Sequence, residues 1–544
     1  MHQLRDLLSN RLTHLNRHPV MASAFVALVA LTSRLLLLPL IPPPKPSVHD
    51  EFSYLLAAQT FALGRLTNPT PPMWIHFETF QELMHPSYAS KYPPGMGLML
   101  ACGQLIFHEP WVAVLISMAV LCGLITWALC GWLPLRWAIA GGLIAVMHLT
   151  GSYWTESYWG GTLAAIGGAL VIGALGRLMR RTALAPAFAY GFGLAILANT
   201  RPYEGLVLGL LCTGFLIVRA ASQVRRGREN ASQLVYRVGI PIASVLLPTL
   251  IWMGYYNFRV TGNPLLMPYD LYETQYTQWS AFLWSNTPRP EPTYNHQVLR
   301  TFWVGWDGNA KQFRRHHILQ VHWENLQDLY HFYLSFPLLL CLLIAGSRLL
   351  RNRRLRIPLA LLAIFYLGVA VEVNLFPHYV APATVLVYLL VAAAVRDISS
   401  QFASGRARAI AITAIFCCIA LFEVPRLVNP AARFCNSFDK SDFIMKRDMV
   451  ISQLQKEGAQ LLVFVRYGPM HNVHDEWVFN DADIDQSSIV WARAMPDGKN
   501  EELLRYFPGR LVWLLDDDGR TVTLRPVKGN KLGGALTIST QPVR

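Results

Sequence analysis

The sequence predicts a polytopic α-helical membrane protein of about 11 transmembrane helices with a small C-terminal α/β domain. Three observations predict it. The 544 residues are 53% hydrophobic and only 15% charged, whereas a soluble domain carries about 25% charged residues. The apolar residues gather into runs near the length that crosses a hydrocarbon core, about 20 residues with a lower limit near 17. Beyond about residue 426 those runs stop, and strand-like and helix-like segments alternate.

The first 19 residues are basic, and the run Val20 to Ile41 that follows lacks a small-residue cleavage site. It reads as a retained first helix. Further spans are expected over 111–131, 136–150, 160–176, 184–199, 203–219, 236–256, 331–347, 357–373, 379–395 and 408–425. Gly95 to Phe107 is apolar but only 13 residues long and follows Pro93-Pro94. That length suits an interfacial or re-entrant segment. If it does not cross, every arginine cluster falls on one side: Arg5/Arg11/Arg17, Arg136, Arg177/Arg180/Arg181, Arg219/Arg225/Arg226/Arg228, Arg348/Arg351/Arg353/Arg354/Arg356 and Arg396/Arg406/Arg408. The positive-inside rule selects this arrangement, with the N-terminus inside and the C-terminus outside. The outer face then receives the loops 42–110 and 257–330, the loop around Glu156 and the turns 199–204 and 376–379.

In the tail, Ser441 to Glu457 and Asn500 to Phe507 read as helices. Leu461 to Val465, Ser488 to Trp491 and Leu511 to Leu515 read as buried strands. The expected domains are a cytoplasmic N-terminus (1–19), a transmembrane unit (20–425) and an extracytoplasmic α/β unit (426–544). The formal charge of +14 does not imply nucleic-acid binding, because no basic stripe interleaves with aromatics. The eight cysteines, Cys435 among them, fit neither a zinc site nor a disulfide framework.

The outer loops hold the residues that could do chemistry. His49-Asp50-Glu51 follows the first span. Asp50 stands just before a helical pattern, Phe52 to Leu63, so it is either an N-cap or a general base, or both. Glu51 is the weaker base candidate, since the next helical position turns away. Lys91-Tyr92-Pro93-Pro94 closes the same loop; Lys91 can pair with a lipid phosphate or snorkel at the interface. Glu156 lies among Tyr153, Trp154, Tyr158 and Trp159, as a substrate ligand or as part of an aromatic belt. Arg201 can clamp a phosphate or simply pair with Glu204. His378-Tyr379 can donate hydrogen bonds to a phosphate or serve a structural role. His471, His474, Asp475 and Glu476 match no standard zinc spacing, so no metal site is expected there.

In their order and shared face, these motifs resemble those of the GT-C superfamily of integral membrane glycosyltransferases. The branch most alike holds the protein O-mannosyltransferases and the lipid A aminoarabinose transferase. The resemblance covers roughly residues 20–400 and leaves the tail unexplained. It implies a sugar donor on a polyprenyl phosphate, a lipid, glycan or protein acceptor, and inversion at the anomeric carbon. By position, Asp50 matches the first-loop catalytic acid and Glu156 the second acidic position. Lys91 matches the donor-phosphate lysine, although Tyr92 interrupts what is often Lys-Pro-Pro. His378-Tyr379 matches the late motif near the phosphate. Arg201 is added from its location alone. No cofactor is called for, and a divalent cation is left open. The expected place is the bacterial inner membrane, with the site in the cell envelope. The competing readings are a flippase for a lipid-linked sugar, which would need ionisable residues at mid-membrane, and an envelope assembly protein. The acids gather at one surface instead, which favours the transferase.

Overall fold

The computed structural model describes residues 18–285, 287–428, 441–496, 498–527 and 535–539. The expected basic N-terminal cluster, Cys435 and the opening of the tail lie outside the described residues. Each expected span overlaps a helix, although 331–347 straddles the sharp break between Tyr333 and Phe336. Among the described residues six helices are long and apolar enough to cross a membrane: Pro19–Leu36, Pro110–Cys130, Pro202–Arg225, Ala231–Thr261, Ala381–Ser399 and Gly405–Pro425. The helices Ile318–Tyr333 and Phe336–Arg351 pass that test only when joined, and they meet at 104°. Leu135–Leu149, Thr162–Leu178, Leu184–Ala198 and Arg356–Val369 are shorter apolar helices.

Small residues let some of the shorter helices approach closely. A Cβ on Gly193 would sit 2.7 Å from the Gly167 carbonyl oxygen, so these two glycines set the contact between Thr162–Leu178 and Leu184–Ala198. Pro94–Phe107 is helical, with Pro94 in its first turn, and packs against His49–Ala62 and Pro110–Cys130. The segment 257–330, read from sequence as one long loop, contains the helices Pro268–Tyr276, Asn309–His316 and Ile318–Tyr333.

The segment 42–110 holds a two-residue ladder, β1 (Glu82–Leu83) against β2 (Ala89–Ser90). The tail forms a five-stranded sheet in the order β4-β3-β5-β6-β7. The three expected strands are β3 (Leu461–Tyr467), β4 (Ile489–Arg493) and β5 (Leu511–Asp517), with β3 central and parallel to both neighbours. β6 (Thr521–Pro526) and β7 (Leu536–Ser539) add antiparallel to one edge. Asp518-Gly519, with Gly519 at φ +87°, turns the β5–β6 hairpin.

The sheet is docked on the segment 42–110. Leu56, Phe77, Met84 and Tyr88 share one core with Leu462, Phe464, Val490 and Phe507. Phe52 stacks on Phe479 with centroids 4.0 Å apart. The buried Arg493 donates from Nε to the Glu78 carbonyl at 2.7 Å and from Nη2 to Glu476 Oε2 at 2.7 Å. The helix that carries Asp50 is thus held by the tail.

Candidate active site

Asp50 sits in the first turn of the His49–Ala62 helix, but it is not the cap. Val48, whose side chain cannot cap, occupies that position, and Glu51 reaches back to accept from the Ser47 and Val48 amides at 2.8 and 3.2 Å. Its other oxygen accepts from the Tyr158 amide at 3.0 Å, tying the Glu156 loop to the same helix end. Burial pushes the Glu51 carboxyl up, against the pull of those amides. Asp50 is left free of backbone duty, and its Oδ1 accepts a hydrogen bond from the Tyr92 hydroxyl. Tyr92 also stacks on Tyr54, one turn further along that helix, at 4.4 Å. Ser53 and Ser90 bond to each other at 2.7 Å and stitch the helix to the strand before Lys91.

Lys91 is only 4% exposed. Its ammonium lies 4.5 Å from the Tyr269 ring centroid, 4.7 Å from Tyr272, 5.4 Å from Tyr92 and 5.6 Å from Trp303. Such a cage attracts a cation through the ring quadrupoles. Glu273 Oε1 stands 3.6 Å away, Glu273 Oε2 is 3.7 Å from Lys311, and Lys311 is 2.9 Å from Asp307. Burial pulls the Lys91 ammonium down, and Glu273 and Asp50 partly offset it. Burial alone would raise Glu273, but Lys311 and Lys91 outweigh it and hold the carboxylate below its usual range.

Arg201 stands at the head of the Pro202–Arg225 helix. Its guanidinium lies 4.3 Å from the Tyr379 ring centroid and 3.6 Å from Glu204, the local pair that was one of its two sequence readings. The Gly95 amide donates to the Asn199 carbonyl at 2.8 Å, which brings the Lys91-Tyr-Pro-Pro segment against the Arg201 turn. A Cβ on Gly95 would meet that oxygen at 2.6 Å. A narrow cleft runs between them, lined by Lys91, Pro94, Asn199, Pro202 and Tyr269, with about 20 Å³ of room. That fits a water, not a sugar.

The sequence-selected residues therefore divide. Asp50, Tyr92 and Lys91 form one continuous group. Arg201 and Tyr379 flank it, and the Tyr54 phenol lies within the field of Arg201 and Asp50 together. His378 faces the other way: its Nδ1 lies 2.9 Å from the Tyr153 hydroxyl, and its ring packs on Trp159 at 4.6 Å. Burial, and after it Arg201, keep His378 well below the usual imidazole value and hence neutral. Glu156 belongs to that same 153–159 turn, joined to the helix through Glu51 and not through Asp50. In the tail, Glu476 is taken by Arg493, His471 lies 3.2 Å from Asp517, and His474 packs on Trp306 at 4.5 Å. Among the described residues no group of three or more such side chains could hold a metal ion. Sequence reasoning missed Tyr269, Tyr272, Glu273, Trp303, Asp307 and Lys311. Their only signal was the density of aromatics in 257–330.

No protein-family model matches the chain, and no curated protein matches its sequence. Solved structures match in fold. ArnT from Cupriavidus metallidurans, bound to undecaprenyl phosphate, superposes with a TM-score of 0.50 at 12% identity, covering 91% of this chain and 92% of that one. Its apo state gives 0.49 at 13% identity with the same coverage. The apo oligosaccharyltransferase of Archaeoglobus fulgidus gives 0.47 at 11% identity over 82% of this chain and 62% of its own length. At such identity the ArnT match speaks for the fold alone.

Proposed function

We propose that this chain is an inverting glycosyltransferase that moves a sugar from a polyprenyl-phosphate donor to a hydroxyl on a lipid, glycan or protein. The observation that carries the reading is the junction of Asp50, Tyr92 and the caged Lys91. It puts a carboxylate beside a buried cation, the pair that this displacement needs. Asp50 takes the proton of the acceptor hydroxyl as its oxygen attacks the anomeric carbon. The bond from that carbon to the phosphate oxygen breaks, and polyprenyl phosphate leaves with the electron pair. Lys91 and Arg201 stabilise the charge that develops there. A single base and a single displacement invert the centre; retention would require a second, nucleophilic carboxylate at close range. The fold neighbour solved with undecaprenyl phosphate supports a lipid-phosphate ligand. At about 20 Å³ the cleft must widen to admit one.

In this reading the site lies on the extracytoplasmic side of the inner membrane. Four helices, Thr162–Leu178, Pro202–Arg225, Phe336–Arg351 and Ala381–Ser399, run into arginine clusters at their C-terminal ends. The site residues lie at the opposite ends, as the positive-inside rule favours for an outer site. Residues 20–425 form the transmembrane unit and 426–544 the extracytoplasmic unit. Glu51 joins the turn that carries Glu156 to the helix end that carries Asp50, and in this reading Glu51, Glu156 and His378 do no proton transfer.

Lys91→Ala should weaken binding of undecaprenyl phosphate to the purified protein by roughly 10- to 100-fold, the worth of a charge-assisted contact, and leave acceptor affinity unchanged. Equal losses for both would remove Lys91 from phosphate recognition. Since burial lowers its ammonium, lipid-phosphate binding should fade as pH rises through that lowered value, earlier than for an exposed lysine. Tyr92→Phe keeps the stack on Tyr54 but deletes the donor to Asp50. Turnover should fall about 10-fold, the cost of one such bond, with undecaprenyl phosphate affinity held within about 2-fold. Unchanged turnover would show that Asp50 needs no such support.

A further inference from the structure

The helix Ile318–Tyr333 has three distinct faces. At about 100° per residue, Leu319, Trp323, Leu326 and Tyr330 fall on one narrow stripe. Leu319 is 86% exposed, Trp323 63% and Leu326 45%. To one side of that stripe lies the face of Val321, Asn325, Leu329 and Phe332, all buried against the rest of the protein. To the other side lie Gln320, Glu324, Gln327 and Asp328, all exposed. A helix at an ordinary protein surface needs two faces, one for the core and one for water. The third, apolar and uncovered, needs another medium.

The next helix says which one. Phe336–Arg351 is an apolar segment ending in Arg348 and Arg351, and it meets Ile318–Tyr333 at 104°. If it runs along the membrane normal, the preceding helix lies nearly in the membrane plane at the end away from the arginines. The polar load of Ile318–Tyr333 excludes it from spanning as one arm of a broken helix. We propose that Ile318–Tyr333 is an interfacial helix: its Leu319–Trp323–Leu326 stripe is immersed among phospholipid acyl chains, its polar face is turned to water, and its third face is packed on the protein. This is the arrangement of an amphipathic helix lying at a bilayer surface, with an interfacial tryptophan at headgroup depth.

One consequence rests on the transferase reading above. Asn309–His316, immediately before this helix, carries Lys311, the partner of Glu273 in the Lys91 cage. An anchored Ile318–Tyr333 fixes the height of that cage relative to the lipid phosphates.

The test does not depend on transfer activity. Benzoylphenylalanine is placed by amber suppression at 319, 323 and 326, and separately at 320, 324 and 327. The full-length protein is reconstituted in phosphatidylethanolamine–phosphatidylglycerol vesicles and irradiated. Phospholipid adducts, read by mass spectrometry, should be at least several-fold more abundant at the first three positions. Equal yields at both sets would overturn the proposal. So would adducts at 319, 323 and 326 to peptides, whether of this chain or of a second copy. Lipid adducts in a protein that then proves to transfer no sugar would leave the interfacial helix standing and refute only the functional reading.

Discussion

Asp50→Asn is expected to abolish sugar transfer in a protein that still folds. The expected loss is on the order of 10²- to 10⁴-fold, the usual share of a positioned general base. The variant suits the question because Asp50 carries no structural duty: Glu51 satisfies the helix start, and an asparagine oxygen can still accept from Tyr92. Only the capacity to take a proton is removed. Two measurements check it together. Cells lacking the gene, complemented with either form, are profiled for envelope lipids and glycans, and the purified variant is assayed for undecaprenyl phosphate binding. Full restoration of the missing glycoconjugate by Asp50→Asn would eliminate Asp50 as the base. Loss of both lipid binding and membrane insertion would show that the substitution had damaged the fold.

The second large effect concerns the tail. Arg493→Ala should destabilise its attachment by about 3–5 kcal/mol, the usual penalty for stranding one member of a buried ion pair. Glu476 is fully buried, and its remaining donors are the Tyr467 hydroxyl and the Val478 amide at 2.8 Å. Arg493 is also the link from the sheet to the Glu78 carbonyl of the outer loop. Hydrogen exchange in β4 and in 76–92 should therefore rise together. The double variant Arg493→Met with Glu476→Gln should recover most of the loss, because no charge is then left without its partner. Unchanged exchange in 76–92 for the single variant would mean that the apolar core of Leu56, Phe77 and Phe464 alone holds the tail in place. Surface pairs such as Arg65–Asp483, at 3.5 Å and half exposed, contribute little by comparison.

The legibility of the site followed from how local each decision was. His49-Asp50-Glu51 and Lys91-Tyr-Pro-Pro stood out because each is a short polar or proline-rich interruption beside an apolar run. The roles of neighbours were less legible. Asp50 read as an N-cap, a general base or both from its position before Phe52, yet the helix starts at His49 after Val48, and the free amides there go to Glu51. The insertion of Tyr92 looked like a departure from a motif; in three dimensions its hydroxyl is what reaches Asp50. His378 read as a partner of Asp50, but its ring nitrogen goes to Tyr153 and its ring packs on Trp159. Sequence can assign a side of the membrane, and it cannot assign a direction within that side.

The sequence by itself determined that the chain is a bundle of apolar helices with one polar, aromatic-rich end and a strand-bearing tail. Partition into a bilayer is nearly additive over a window of about 20 residues, so composition suffices to place such helices. Only the tertiary structure decided what surrounds Lys91. Glu273, Trp303, Asp307 and Lys311 come from a segment well over a hundred residues away, and no local pattern ties them to Lys91. A buried lysine selects its partners by the cost of desolvating a charge, and that cost exists only after the chain has packed around it.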